Sequence, residues 1–213
     1  DVASAISAKN TNLQTFRAHI DEKSAIGIDT SEAEAQYNEA SAQIATAQAQ
    51  PATAYDTALN ALTAAQTAID AGETALDRSW AENEVATAQV PINNVDVVIA
   101  WFKGNQSTAD DAQLAAIVAK REVAVNYISN ANDEISAGNF EQARTKASEA
   151  FVKGNESFTD ALARQKQLSS GFQFPALPSI PGGIFLIVGV IVVVLAVVGV
   201  IIYRKRSRWD ELG

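Results

Sequence analysis

Residues 55–76, YDTALNALTAAQTAIDAGETAL, decide how this chain folds. Tyr55, Ala58, Leu62, Ala65, Ile69, Gly72 and Leu76 recur at alternating intervals of three and four. Side chains so spaced share one face of a helix and form a heptad-like stripe. Much of the stripe is Ala, which lets helix backbones approach closely but buries little area per residue. Gly72 is expected to loosen or kink the helix, at roughly 1 kcal/mol relative to Ala.

The same periodicity extends in both directions. Upstream, Val2, Ile6, Leu13, Phe16 and Ile20 form a first stripe with Lys9 filling its gap, and Gly27 is placed to stop that helix. Ser31 and Glu34 have capping-box spacing, ahead of a second stripe of Ala33, Tyr37, Ala40, Ile44 and Ala47. Pro51 fits the first turn of a third helix, where its missing N–H costs nothing. Downstream of Leu76 the pattern runs weakly through Trp80 and Val85. A break or kink is expected at Pro91, before Ile92, Val95, Val98, Ile99 and Phe102 resume it to Gly104. Ser107 and Asp110 suggest a further cap, followed by Leu114, Ile117, Ala124, Ile128, Ala131 and Ile135 up to Gly138. Arg121 occupies an inward slot, its stem lying along apolar surface. Phe140, Ala143, Ala147, Ala150, Phe158 and Ala161 line a last helix to about Leu168. No strand alternation is found, so the expected fold is all-α: an Ala-rich antiparallel helical bundle over 1–168.

A weak internal repeat accompanies this pattern. Ala40, Ile44 and Ala47 correspond to Ala124, Ile128 and Ala131, and Tyr55, Ala58 and Ala65 to Phe140, Ala143 and Ala150. A duplicated helical hairpin accounts for the match, and so does the general likeness of Ala-rich heptads.

Beyond the bundle the composition changes. Residues 169–183, SSGFQFPALPSIPGG, carry Pro175, Pro178 and Pro181 and no charge, which favours an extended linker. Its Phe172, Phe174, Leu177 and Ile180 are apolar enough to pack on the bundle, on lipid headgroups or on a partner. Residues 184–203, IFLIVGVIVVVLAVVGVIIY, are uncharged throughout. A helix of that length rises about 1.5 Å per residue and crosses the roughly 30 Å hydrocarbon core of a bilayer. Arg204, Lys205, Arg206 and Arg208 follow at once, so the positive-inside rule puts the tail 204–213 in the cytoplasm and the bundle outside. The chain begins at Asp1 and contains no Met, which leads to the expectation of a mature form whose signal peptide has been removed.

Composition narrows the chemistry. The formal net charge is −9 and there is no Cys. An acidic chain without clustered Lys and Arg ahead of its tail is a poor match for nucleic acid. Thiolate metal sites, disulfides and Cys nucleophiles are excluded together. His19 is the single histidine, without a partner at metal-ligand spacing. Asp110–Asp111 and Asp133–Glu134 are sequence neighbours and do not share a helix face. With no phosphate loop and no nucleophile elbow, no enzymatic activity and no cofactor are expected. Two triplets fit the N-glycosylation pattern, at Asn105 and Asn155. Trp101 and Phe102 are candidates for core packing or for a protein-contact patch.

The last forty or so residues, a Pro/Gly linker, the Val/Ile-rich span and YRKRSRWDELG, resemble the C-terminal anchors of archaeal envelope proteins, particularly those of methanogens. The resemblance implies a cell-surface location with a single-pass anchor and brings no catalytic or binding residue with it. The chain lacks the Thr-rich spacer often seen in such proteins. Its expected function is structural: a stalk, spacer or assembly element that contacts the bilayer and other copies of itself or other envelope proteins. An accessory subunit of a larger membrane complex and a ligand-binding ectodomain are the alternatives.

Overall fold

The computed structural model describes residues 2–51, 53–104, 108 and 111–169. These form five helices, α1 (Val2–Ala25), α2 (Ser31–Gln48), α3 (Tyr55–Gly104), α4 (Ala112–Ser136) and α5 (Phe140–Ser169), and no strand occurs among them. The all-α fold expected from the heptad stripes is observed. Ser169, expected to open the linker, is instead the last residue of α5; the rest of the linker, the apolar run 184–203 and the basic tail lie outside the described residues, as do Ser107 and Asp110. Among the described residues no helix is long and apolar enough to cross a membrane.

One helix organises the rest. α3 is 50 residues long and runs unbroken through Pro91, so the expected break there is corrected. A proline inside a helix lacks an N–H and crowds the preceding turn. Here the ring is buried against α5 at Gly154, where an added Cβ would stand 3.1 Å from Pro91 Cγ and 3.2 Å from Ile92 Cγ1. Gly154 leaves the space in which the proline packs. α5 continues through it.

α1 and α2 pack on the N-terminal half of α3, and α4 and α5 on its C-terminal half. The first core joins Leu13, Phe16 and Ile20 of α1, Ala40, Ile44 and Ala47 of α2, and Ala58, Leu62, Ala65, Ile69 and Leu76 of α3. The second half holds two adjoining clusters. One is built on Ala88, Ile92, Ala124, Ile128, Ala147 and Ala150, the other on Val95, Ile99, Phe102, Leu114, Ile117 and Ala161. In each half the first and third helices run parallel and the middle one antiparallel.

The two halves match in packing register. The pairs Ala40/Ile44/Ala47 with Ala124/Ile128/Ala131, and Ala58/Ala65 with Ala143/Ala150, are all buried. The correspondence extends to a third helix that the sequence pattern alone did not reveal. Leu13, Phe16 and Ile20 of α1 have the spacing and burial of Val95, Val98 and Phe102 in α3. The third helix of the first half and the first helix of the second are therefore one helix. Tyr55 departs from its helical stripe and is exposed.

The turns show where local chemistry governs. Gly27 and Gly138 have φ of 82° and 79°, and both end their helices as expected. At the first, Ile28 N–H donates to the Lys23 carbonyl at 3.1 Å, and at the second Asn139 N–H donates to Glu134 at 2.8 Å. These are Schellman closures, which need a residue at positive φ. The helix starts differ from expectation. α2 begins at Ser31, but its Thr30 N-cap makes no side-chain capping bond, and the Asp29 carboxylate accepts from Ser31 N–H at 3.0 Å instead. Pro51 precedes α3 in a turn closed by Ala54 N–H to its carbonyl, outside the helix. α4 is capped by Asp111, which accepts from Gln113 N–H at 2.9 Å.

Gly72 is a receptor for Phe16, and α3 continues through it. The fully buried Phe16 ring lies over it, and a Cβ there would stand 2.8 Å from Phe16 Cε1 and collide with the ring tip. Gly72→Ala is expected to lower stability by about 2 kcal/mol, because overpacking outweighs the gain of about 1 kcal/mol in helix propensity. In a Phe16→Ala background the same change should become stabilising. Denaturant titration of the four combinations measures both signs.

Candidate functional site

Among the described residues, no three side chains of His, Cys, Asp or Glu converge as a metal site. His19 Nδ1 lies 2.8 Å from Glu73 Oε1 across the α1–α3 seam, an exposed surface pair. What the fold builds from polar groups is a set of ties between helices.

The most concentrated of these sits midway along α3. Lys23, at the end of α1, places Nζ 3.7 Å from the Trp80 ring centroid, and Arg144, near the start of α5, places Cζ 4.1 Å from it. The indole N–H donates to Glu84 Oε1 at 3.2 Å, and Arg144 Nη1 reaches Asp77 Oδ1 at 3.4 Å. Helices from both halves thus converge on one indole. Cations over an aromatic face are attracted by its quadrupole. Sequence reasoning found Trp80 merely a weak continuation of a stripe, because Lys23 and Arg144 lie far from it along the chain.

Two further ties close the second half. Arg121 grips Asp96 of α3 in a two-point contact, Nε to Oδ1 at 2.8 Å and Nη2 to Oδ2 at 2.9 Å. Its inward placement was expected; this ionic partner was not. Arg164 of α5 donates to both oxygens of Asp111, Nε to Oδ1 at 3.2 Å and Nη2 to Oδ2 at 2.5 Å. The Arg164 guanidinium therefore holds the Asp111 carboxyl below the usual aspartate range; desolvation opposes the shift, and the N–H of Gln113 assists it.

The remaining candidates are placed as follows. Phe102 is fully buried and Trp101 half-buried, with ring centroids 5.0 Å apart in an edge-to-face arrangement. Phe102 belongs to the core cluster and Trp101 packs at its margin. The protein-contact role for Phe102 is therefore corrected: a side chain with no exposure meets no partner. Asn155 is half-buried in the continuous helix α5, and the Ser157 hydroxyl of its triplet is fully buried, donating to the Ile117 carbonyl at 2.8 Å. That geometry lacks the surface loop in which such acceptors are presented. Asn105, Arg204, Lys205, Arg206 and Arg208 lie outside the described residues.

Two outcomes follow. Trp80→Leu keeps apolar bulk but loses both cation contacts, at about 0.5–1 kcal/mol each. Chemical denaturation should show a corresponding drop, absent in the surface control Arg78→Gln. For Asp111 the folded carboxyl titrates below its unfolded value of about 3.9. Its contribution is complete above that value and fades as pH falls through the folded one. The stability gap between the native chain and Asp111→Asn should be constant near neutrality and shrink below about pH 4, as read from midpoints across pH.

Comparison with known proteins supplies no family, since no known family, curated protein or solved structure matches the chain.

Proposed function

We propose that this chain is a membrane-anchored structural or assembly protein of the cell surface, without catalytic activity. The observation that carries the reading is the uncharged run 184–203 followed directly by Arg204, Lys205, Arg206 and Arg208. An apolar helix of twenty residues matches the bilayer core, and the flanking cations orient it with the tail inside. The helical region supports the same reading in two ways. α3 alone, at 50 residues, extends about 75 Å, a span suited to a stalk or spacer. The polar side chains described above are spent on joining helices.

In this reading the linker 169–183 separates the helical region from the bilayer, and the acidic surface keeps it soluble outside the cell. The resemblance of the last forty residues to archaeal envelope anchors supports the location. Asn105 remains a candidate acceptor for glycosylation, and an intact-mass measurement on the native protein tests it.

The expected result is that the protein stays with membranes through alkaline carbonate washing and is released by detergent. Protease added from outside should digest the helical region. Release by carbonate, or full protection from external protease, would refute the anchor or its orientation. Native mass after mild-detergent extraction then separates two roles. Assembly of this chain alone fits the structural role, and fixed stoichiometry with other membrane proteins makes it an accessory subunit.

A further inference from the structure

The face of α3 that receives α1 and α2 does not end where those helices end. Its buried positions Ala58, Leu62, Ala65, Ile69, Gly72 and Leu76 continue in the same three-four register as Ser79, Asn83, Ala86, Val90, Asn93, Val97 and Ala100. On the C-terminal half, α4 and α5 pack instead on the face carrying Ala88, Ile92, Val95, Ile99 and Phe102. The continued seam is left uncovered. Val97 is 71% exposed and Val90 48%, and Asn83, Ala86, Asn93 and Ala100 are exposed with them. No charged residue stands on it between Asn83 and Ala100.

We infer that this seam pairs with the same seam of a second copy, the two α3 helices running antiparallel. Three features of the helix favour that occupant and that direction. Large positions meet small or polar ones when the copies are opposed about a dyad between Pro91 and Ile92. Val97 then faces Ala86 of the second copy, and Val90 faces Asn93. The flanking positions also complement one another. In antiparallel pairs the residues just before the seam meet their counterparts, which brings Glu82 to Lys103 and Gln89 to Asp96. A parallel pairing forms no such ion pair, because Glu82 then meets Thr87 and Asp96 meets Trp101. Sliding the antiparallel pair by one heptad separates Glu82 from Lys103, so charge also selects the register. Finally, the seam continues an interface already used within the chain, so a helix laid along it finds the stripe that α1 and α2 find on the first half. The inference rests on α3 alone and not on the membrane anchor.

The chain has no Cys, so single cysteines report the geometry directly. Full-length Ala86→Cys and Val97→Cys variants, co-expressed, extracted in mild detergent and oxidised, should give the mixed disulfide in preference to either homodimer. Glu82→Lys should reduce that product about tenfold, and Glu82→Lys/Lys103→Glu should restore it. Val97→Glu should abolish dimer while leaving the helical content unchanged. Homodimeric disulfides at 86 and 97 would overturn the antiparallel direction. A monomeric mass with no cross-link would overturn the pairing altogether and leave the seam to another protein or to this chain's own linker. Loss of carbonate resistance with cross-linking intact would strike the anchor and leave this inference standing.

Discussion

A single unbroken helix has to serve two cores that lie on different faces of it. α3 presents Ala58, Leu62, Ala65 and Ile69 to α1 and α2, then Ala88, Ile92, Val95 and Ile99 to α4 and α5. The change of face happens without a break, so helix packing must absorb it through side-chain size. That requirement accounts for the small residues. Gly72 admits the Phe16 ring, and Gly154 admits Pro91, each at a point where an ordinary Cβ would crowd its neighbour. The Ala-rich seams elsewhere let backbones come close, and dispersion between well-fitted surfaces replaces the area that larger side chains would bury.

Because such cores are thin, polar ties acquire weight. They are placed at ends and junctions: Arg164 with Asp111 where α4 begins, Arg121 with Asp96 between α4 and α3, and Lys23 and Arg144 over Trp80 at the crossing of the halves. Ser157 adds a buried hydroxyl bonded to the Ile117 carbonyl. Among the described residues, no buried side-chain polar atom lacks a partner. A polar group in such a core specifies which helix faces which, because an alternative packing would strand it.

These features suit the structural role proposed above. A long helix with two helical pairs along it offers length, stiffness and lateral surface. The lateral surface is where the molecule retains unspent complementarity, since the seam of its first half runs on uncovered beside the second. In the role proposed above, a protein of this design would act through what it spaces apart and what it lies against.

The heptad stripes were legible residue by residue. Leu13, Phe16 and Ile20, Ala40, Ile44 and Ala47, and Leu114, Ile117 and Ala124 are all buried as their spacing implied. Gly27 and Gly138 stop helices because positive φ is a local requirement that sequence records directly. Pro91 does not end the helix, since its cost is local while Gly154, which leaves room for its ring, comes from another helix. The Ser31 cap failed for a local reason, its N–H being taken by Asp29 two residues earlier in the chain. Trp80 shows the limit most clearly: its ring gathers cations from two distant helices, whereas Phe102 is buried in the core as its place on the stripe implied. Sequence alone determined which segments are helical and which face of each is apolar, because periodicity is a property of one helix at a time. Tertiary structure decided that two predicted helices are one, and which faces meet and which stay open. Those depend on the fit between surfaces far apart in the chain.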